Sequence, residues 1–123
     1  MAGDPILIVD DKPQNLKLAR VILTVEGYEV QTAADAEEAL RVLQSFTPRL
    51  ILMDLQLPGM DGLEFTRRLR RDPAWQHVRI VALTAYAMKG DEEKALAAGC
   101  DGYITKPIDT ERLARLVAEQ LAR

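Results

Sequence analysis

Three aspartates, a threonine and a lysine stand at the ends of short apolar runs in this chain of 123 residues: Asp10 and Asp11, Asp54, Thr84 and Lys106. The runs are Ile6-Leu7-Ile8-Val9, Leu50-Ile51-Leu52-Met53 and Ile80-Val81-Ala82-Leu83, with a shorter Gly102-Tyr103-Ile104-Thr105 before the lysine. Each reads as a β-strand. In an open parallel sheet all strand carboxyl ends share one edge, and that edge is where ligands bind. Residues scattered along the chain are therefore expected to meet as three carboxylates, one hydroxyl and one ammonium. Two unit charges about 4 Å apart repel by on the order of 4 kcal/mol at an effective dielectric near 20, so such a cluster calls for a cation. Oxygen-only ligands suit Mg²⁺, and Lys106 adds a permanent positive charge. With repulsion lowered in this way, the Asp54 carboxylate can attack phosphorus while Thr84 donates a hydrogen bond to an equatorial oxygen. The product is an acyl phosphate, whose lability suits a transient signal. Taken singly, each residue has a plainer reading: one of Asp10 and Asp11 caps a helix, and Asp54 merely opens a loop.

The segments around these residues alternate between strand and helix five times, the pattern of an α/β fold. A first helix is predicted from about Gln14 to Glu26, with Leu16, Ala19, Ile22 and Leu23 on one face and Gly27 as its stop. Tyr28 to Ala33 form a second strand. Asp35 with Glu38 makes a capping box for the second helix, whose stripe is Ala39, Leu40 and Leu43 and whose end is marked by Pro48. Leu50 to Met53 is apolar on both faces, as a covered central strand should be. Asp61 with Glu64 repeats the capping box for a third helix, and Arg67, Arg68, Arg70 and Arg71 near its end complement the helix dipole. The fourth strand is Val78 to Leu83, the fourth helix Asp91 to Ala98 before Gly99. A fifth helix, capped by Asp109, carries Leu113, Leu116, Val117 and Leu121. No linker, repeat or low-complexity segment interrupts the order, so residues 1–123 are expected to form one domain.

Bulk properties narrow the functional classes. The composition, 48% hydrophobic and 28% charged, is that of a globular protein long enough to bury a core. The net charge is −3, and no basic run or basic-aromatic stripe points to nucleic acid. The longest apolar stretches are strand-sized, far short of a membrane span, and Met1-Ala2-Gly3-Asp4 does not begin a secretory signal. A lone cysteine, Cys100, makes no internal disulfide and suits a reducing cytoplasm.

The ordered set Val9-Asp10-Asp11, Met53-Asp54-Leu55-Gln56-Leu57-Pro58-Gly59-Met60-Asp61-Gly62, Thr84-Ala85 and Lys106-Pro107 resembles the receiver domains of two-component response regulators. The resemblance covers essentially the whole chain. From Thr84 to Glu93 it is similar to stand-alone receivers of bacterial division and cell fate, and almost as similar to receivers of hybrid histidine kinases. It implies a flavodoxin-like, doubly wound parallel sheet of five strands in the order 2-1-3-4-5, flanked by five helices. It implies a phosphorelay role rather than turnover of an external substrate: Asp54 as phosphoacceptor, Thr84 and Lys106 on the phosphoryl oxygens, and Mg²⁺ held by Asp11 and Asp54 directly, by Asp10 through water, and by the backbone carbonyl of Gln56. Lys106-Pro107 is implied to be a cis peptide. Tyr103 is implied to be an aromatic switch working with Thr84, although packing alone explains a half-buried strand tyrosine equally well. Gln56 and Tyr86 occupy positions that vary in such receivers and tune the lifetime of the phosphate. Ala36 stands where a glycine is common.

The implied partners are a sensor histidine kinase or histidine phosphotransfer protein docking near Pro13, Gln14, Asn15 and Leu18, and a downstream protein meeting Ala87, Met88, Lys89 and Tyr103. A monomer or weak dimer with no output domain of its own is expected. Trp75, His77 and Cys100 fall in helix-to-strand connections at the opposite edge, so His77 is expected on the surface and Cys100 in packing. Two other classes share features with the chain. A haloacid-dehalogenase-type phosphatase also uses an aspartate nucleophile with Mg²⁺, but places it at the end of the first strand, two residues before a second aspartate. A flavodoxin-type cofactor binder needs a hydroxyl- or glycine-rich phosphate loop where this chain has Asp10-Asp11-Lys12-Pro13.

Overall fold

Five strands form one parallel sheet: β1 (Pro5–Val9), β2 (Glu29–Ala33), β3 (Leu50–Asp54), β4 (Arg79–Thr84) and β5 (Gly102–Thr105). Five helices alternate with them: α1 (Pro13–Val25), α2 (Ala36–Val42), α3 (Gly62–Arg71), α4 (Asp91–Ala98) and α5 (Thr110–Leu121). The structure is a computed structural model and describes residues 3–57, 59–84, 90–105 and 109–122. The strand order is β2-β1-β3-β4-β5. The chain winds outward from β1 to β2, then crosses back to β3, so the topological switch lies between β1 and β3.

Burial explains why some strands are plain in the sequence. β3 is buried at every position, and β1 and β4 at all but their first. The outer strands β2 and β5 keep partly exposed positions and read less cleanly. Alternation along the central strands divides the core. Leu7, Val9, Ile51, Met53, Ile80 and Ala82 pack with Ala39 of α2, Phe65 and Leu69 of α3, and Ala95 of α4. Ile6, Ile8, Leu50, Leu52, Val81 and Leu83 pack with Ala19 and Leu23 of α1 and with Leu113, Val117 and Leu121 of α5. Both faces are covered, as a parallel sheet requires.

Element ends differ in instructive ways. Helix α1 begins one residue early because Pro13 occupies its first position, where a missing N–H is harmless. Helix α2 stops at Val42 rather than continuing toward Pro48. Ser45, Phe46 and Thr47 are weak helix formers, and Phe46 packs back onto the core instead. A single 3-10 turn at Pro73–Trp75, absent from the sequence reading, is capped by Asp72, whose Oδ1 accepts the Ala74 N–H at 3.0 Å. Both expected caps form in half: Asp35 accepts the Glu38 N–H at 2.8 Å and Asp61 the Glu64 N–H at 2.9 Å. Glu64 does not return the bond; its carboxylate meets Arg67 and Arg71, each at 3.5 Å.

The arginine cluster ending α3 also departs from expectation. Arg70 does more than complement the dipole. Its guanidinium donates to the carbonyls of Gly99 (2.9 Å), Trp75 (3.1 Å), Gln76 (3.1 Å) and Val78 (2.7 Å), and to Asp101 Oδ2 at 2.6 Å. Asp101 in turn accepts the Ile80 N–H at 2.9 Å. One side chain thus ties α3, the turn before β4 and the turn before β5 together at the amino edge of the sheet.

Candidate functional site

Parallel pairing in register carries the strand ends to one level. Val9 pairs with Met53 and with Ala33, and Asp54 pairs with Leu83. Asp10 and Asp54, the next residues of their chains, therefore flank the switch between β1 and β3. Asp10, Asp11 and Asp54 each offer a carboxylate oxygen, and these atoms all lie within 4.8 Å of one another. At that separation each pair repels by about 3 kcal/mol at an effective dielectric near 20, and less where exposed Asp11 is screened. Asp10 and Asp54 are only 1% and 2% exposed. Two buried carboxylates beside a third suit a hard cation, and the all-oxygen donor set fits one.

Local bonding aims these groups. Asp10 Oδ1 accepts the Lys12 N–H at 2.9 Å, and Asp54 Oδ1 accepts the Gln56 N–H at 2.9 Å. Each aspartate thus closes a turn on the residue two ahead, which orients its carboxylate as the chain leaves the strand. Neither Asp10 nor Asp11 caps α1: the cap is Lys12, which makes no side-chain capping bond. Gln56 is exposed, and its N–H belongs to the Asp54 turn.

Thr84 ends β4, is buried, and pairs with Thr105 of β5. Tyr103 is half-buried, pairs with Ala82 and packs against the α2/α3/α4 side of the core. Lys106 and Pro107, with the expected cis bond, lie outside the described residues, as do Ala85, Tyr86, Ala87, Met88 and Lys89.

One residue of the site was not singled out from the sequence. A Cβ on Gly62 would lie 2.7 Å from the carbonyl oxygen of Asp54 and 2.9 Å from Leu55 Cα. Its N–H donates to the Leu55 carbonyl at 3.2 Å. Glycine therefore allows the first turn of α3 to sit against the backbone that carries Asp54. Buried Thr66, one turn on, donates to the Gly62 carbonyl at 2.8 Å and lies 3.8 Å from Cys100 Sγ. Cys100 is a buried packing residue, as expected, and His77 is exposed at the far edge. No described helix is long and apolar enough to cross a membrane.

Comparison with known proteins agrees with this geometry. Residues 6–118 match the response regulator receiver domain family. A polar-differentiation response regulator, DivK, of Brucella anthropi is 41% identical over 116 residues, 94% of each chain. The chemotaxis response regulator CheY4 of Vibrio cholerae superposes with a TM-score of 0.91 at 29% identity, covering 97% of this chain and 99% of that one. The receiver domain of the sensor histidine kinase PA1611 of Pseudomonas aeruginosa, solved with a magnesium ion coordinated in its active site cleft, gives 0.89 at 37% identity, covering 99% and 100%. Family match, sequence identity over nearly all of both chains, and strand order coincide. This chain belongs to the response regulator receiver domain family.

Proposed function

We propose that residues 1–123 act as one phosphoacceptor unit of a two-component relay, in which Asp54 takes a phosphoryl group from a phosphohistidine. The observation that carries this reading is the gathering of Asp10, Asp11 and Asp54 at the switch point of the sheet. In the transfer, a carboxylate oxygen of Asp54 forms a bond to phosphorus as the phosphorus–nitrogen bond to the donor imidazole breaks. The electron pair stays on the imidazole nitrogen, and the product is an acyl phosphate. The Asp54 Oδ1 bond to the Gln56 N–H keeps the carboxylate from rotating during attack. The Thr84 hydroxyl donates to a phosphoryl oxygen, and the Lys106 ammonium neutralises another. Asp11, Asp54 and the Gln56 carbonyl would hold Mg²⁺, with Asp10 acting on it through water. When bound, the ion supplies positive charge to offset crowding among the phosphoryl oxygens.

Phosphorylation is read out by Thr84 and Tyr103, whose paired strands β4 and β5 form one side of the site. A downstream protein binds the altered face, and the chain turns over no substrate but its own acyl phosphate. The donor, a sensor histidine kinase or histidine phosphotransfer protein, docks along α1. Beside the acidic pair, the first turns of that helix leave Pro13, Gln14 and Leu18 exposed. A reducing, cytoplasmic setting accords with a single cysteine, Cys100, that is buried. A second reading, a receiver excised from a hybrid histidine kinase, is favoured by the 37% identity to the PA1611 receiver. Both readings share the chemistry at Asp54.

Incubation with acetyl phosphate and Mg²⁺ tests that chemistry. Stoichiometric phosphorylation is expected, lost in Asp54→Asn and in EDTA. Repeated turnover of many phosphoesters would instead indicate a phosphatase, and label retained in Asp54→Asn would remove the assignment.

A further inference from the structure

The amino edge of the sheet, opposite the acidic site, carries a basic cleft. It encloses about 240 Å³ and is lined by Arg49, His77, Arg79 and Leu121. Arg49 and Arg79 are held at the starts of neighbouring strands by backbone bonding. The Arg49 N–H donates to the Pro5 carbonyl at 2.8 Å, and the Arg79 N–H donates to the Arg49 carbonyl at 3.0 Å. Arg79 stands opposite Leu50, which faces the α1/α5 side of the sheet where Leu121 lies.

Ion pairing at this edge is uneven among the described residues. Asp4 matches Arg49 at 3.1 Å. Asp101 is claimed first by Arg70 at 2.6 Å and reaches Arg79 only at 3.5 Å. In these ion pairs among the described residues, two carboxylates thus serve three guanidiniums, and Arg79 has the longest contact. His77 adds a ring that makes no hydrogen bond within the described residues and is exposed at the cleft. A guanidinium has five N–H donors, and Arg49 and Arg79 each commit NH1 alone. A chain of net charge −3 therefore keeps a cleft lined by two arginines with unused donors on the side away from its acidic site.

We propose that this cleft is a binding site for a small oxyanion, held by Arg79, Arg49 and His77. Charge-assisted N–H···O bonds from two arginines at the starts of adjacent strands fit a phosphate or a carboxylate group. Leu121 forms an apolar wall behind it. The site shares no residue with the acidic cluster.

The test is a titration of the ¹⁵N-labelled protein without Mg²⁺, adding inorganic phosphate in one arm and acetate in the other, at ionic strength fixed with chloride. Saturable shifts centred on Arg49, His77 and Arg79 are expected. Tighter binding of phosphate than acetate assigns a phosphate group, and the reverse order assigns a carboxylate. Arg79→Gln should weaken binding about tenfold, the effect of losing one charge-assisted contact. His77→Ala, at an exposed position, should weaken it as well while leaving the fold intact. Shifts that never saturate in either arm, or the same affinity in both variants, would overturn the proposal.

Discussion

Replacing Gly62 by alanine should loosen the site from its foundation. The new methyl would meet the Asp54 carbonyl oxygen at 2.7 Å and Leu55 Cα at 2.9 Å, with Met53 Cε at 3.2 Å. Met53 Cε ends a flexible side chain and can yield. The other two atoms are backbone and cannot. The Gly62 N–H to Leu55 carbonyl bond ties together the same two segments, so relieving the overlap strains that bond. Overpacking of this kind costs about 1–3 kcal/mol, and alanine returns at most about 1 kcal/mol through its helix propensity. The net expectation is a loss of about 1–2 kcal/mol, which lowers a urea midpoint by about 0.5–1 M at a slope near 2 kcal/mol per M. Equilibrium unfolding followed by far-ultraviolet circular dichroism measures it. Because the displaced atoms belong to Asp54 and Leu55, Mg²⁺ affinity should fall alongside stability. A midpoint equal to or above that of the unaltered protein would refute the close approach.

Three further outcomes follow from the structure. Mg²⁺ should change Trp75 fluorescence little, because the 3-10 turn at Pro73–Trp75 precedes β4 at the edge away from the aspartates; a large quench in a titration would contradict this. Arg70→Gln should cost about 2–3 kcal/mol in chemical unfolding, since it strips donors from four carbonyls and leaves partly buried Asp101 with only its longer ion pair to Arg79; a loss under about 0.5 kcal/mol would contradict it. Burial pushes the Cys100 thiol up, with the Thr66 hydrogen bond and Arg70 opposing. The folded thiol therefore keeps its proton where the unfolded one has lost it. This contribution to stability is whole below about pH 8.5 and fades as pH rises through the elevated folded value. Cys100→Ala should flatten that alkaline decline, and thiol reagents should react with the native protein only after unfolding.

The sheet was legible because β1, β3 and β4 are buried on both faces and leave unbroken apolar runs. The acidic site was legible for the same reason: its residues follow those runs directly, and parallel order brings the ends level. Less was visible where partners are distant in sequence. Nothing local distinguishes Arg70 from its arginine neighbours, because Gly99 and Asp101 reach it only through the fold. Gly62 reads as an ordinary helix-opening glycine until α3 is laid against β3. The turns closed by Asp10 and Asp54 on Lys12 and Gln56 compete with the capping that a lone aspartate suggests, and the fold decides between them. Helix α2 ends early where Ser45, Phe46 and Thr47 favour helix weakly and Phe46 packs against the core.

The most direct test of the acidic site uses Mn²⁺ as a paramagnetic stand-in for Mg²⁺, added in substoichiometric amounts to the ¹⁵N-labelled protein. Amide signals of Asp10, Asp11, Asp54, Gln56 and Thr84 should broaden first and together, while those of Gln76, His77 and Arg79 at the opposite edge stay sharp. Broadening that starts elsewhere, or that spreads evenly over exposed carboxylates such as Glu37 and Glu64, would show that the three aspartates do not hold a divalent ion.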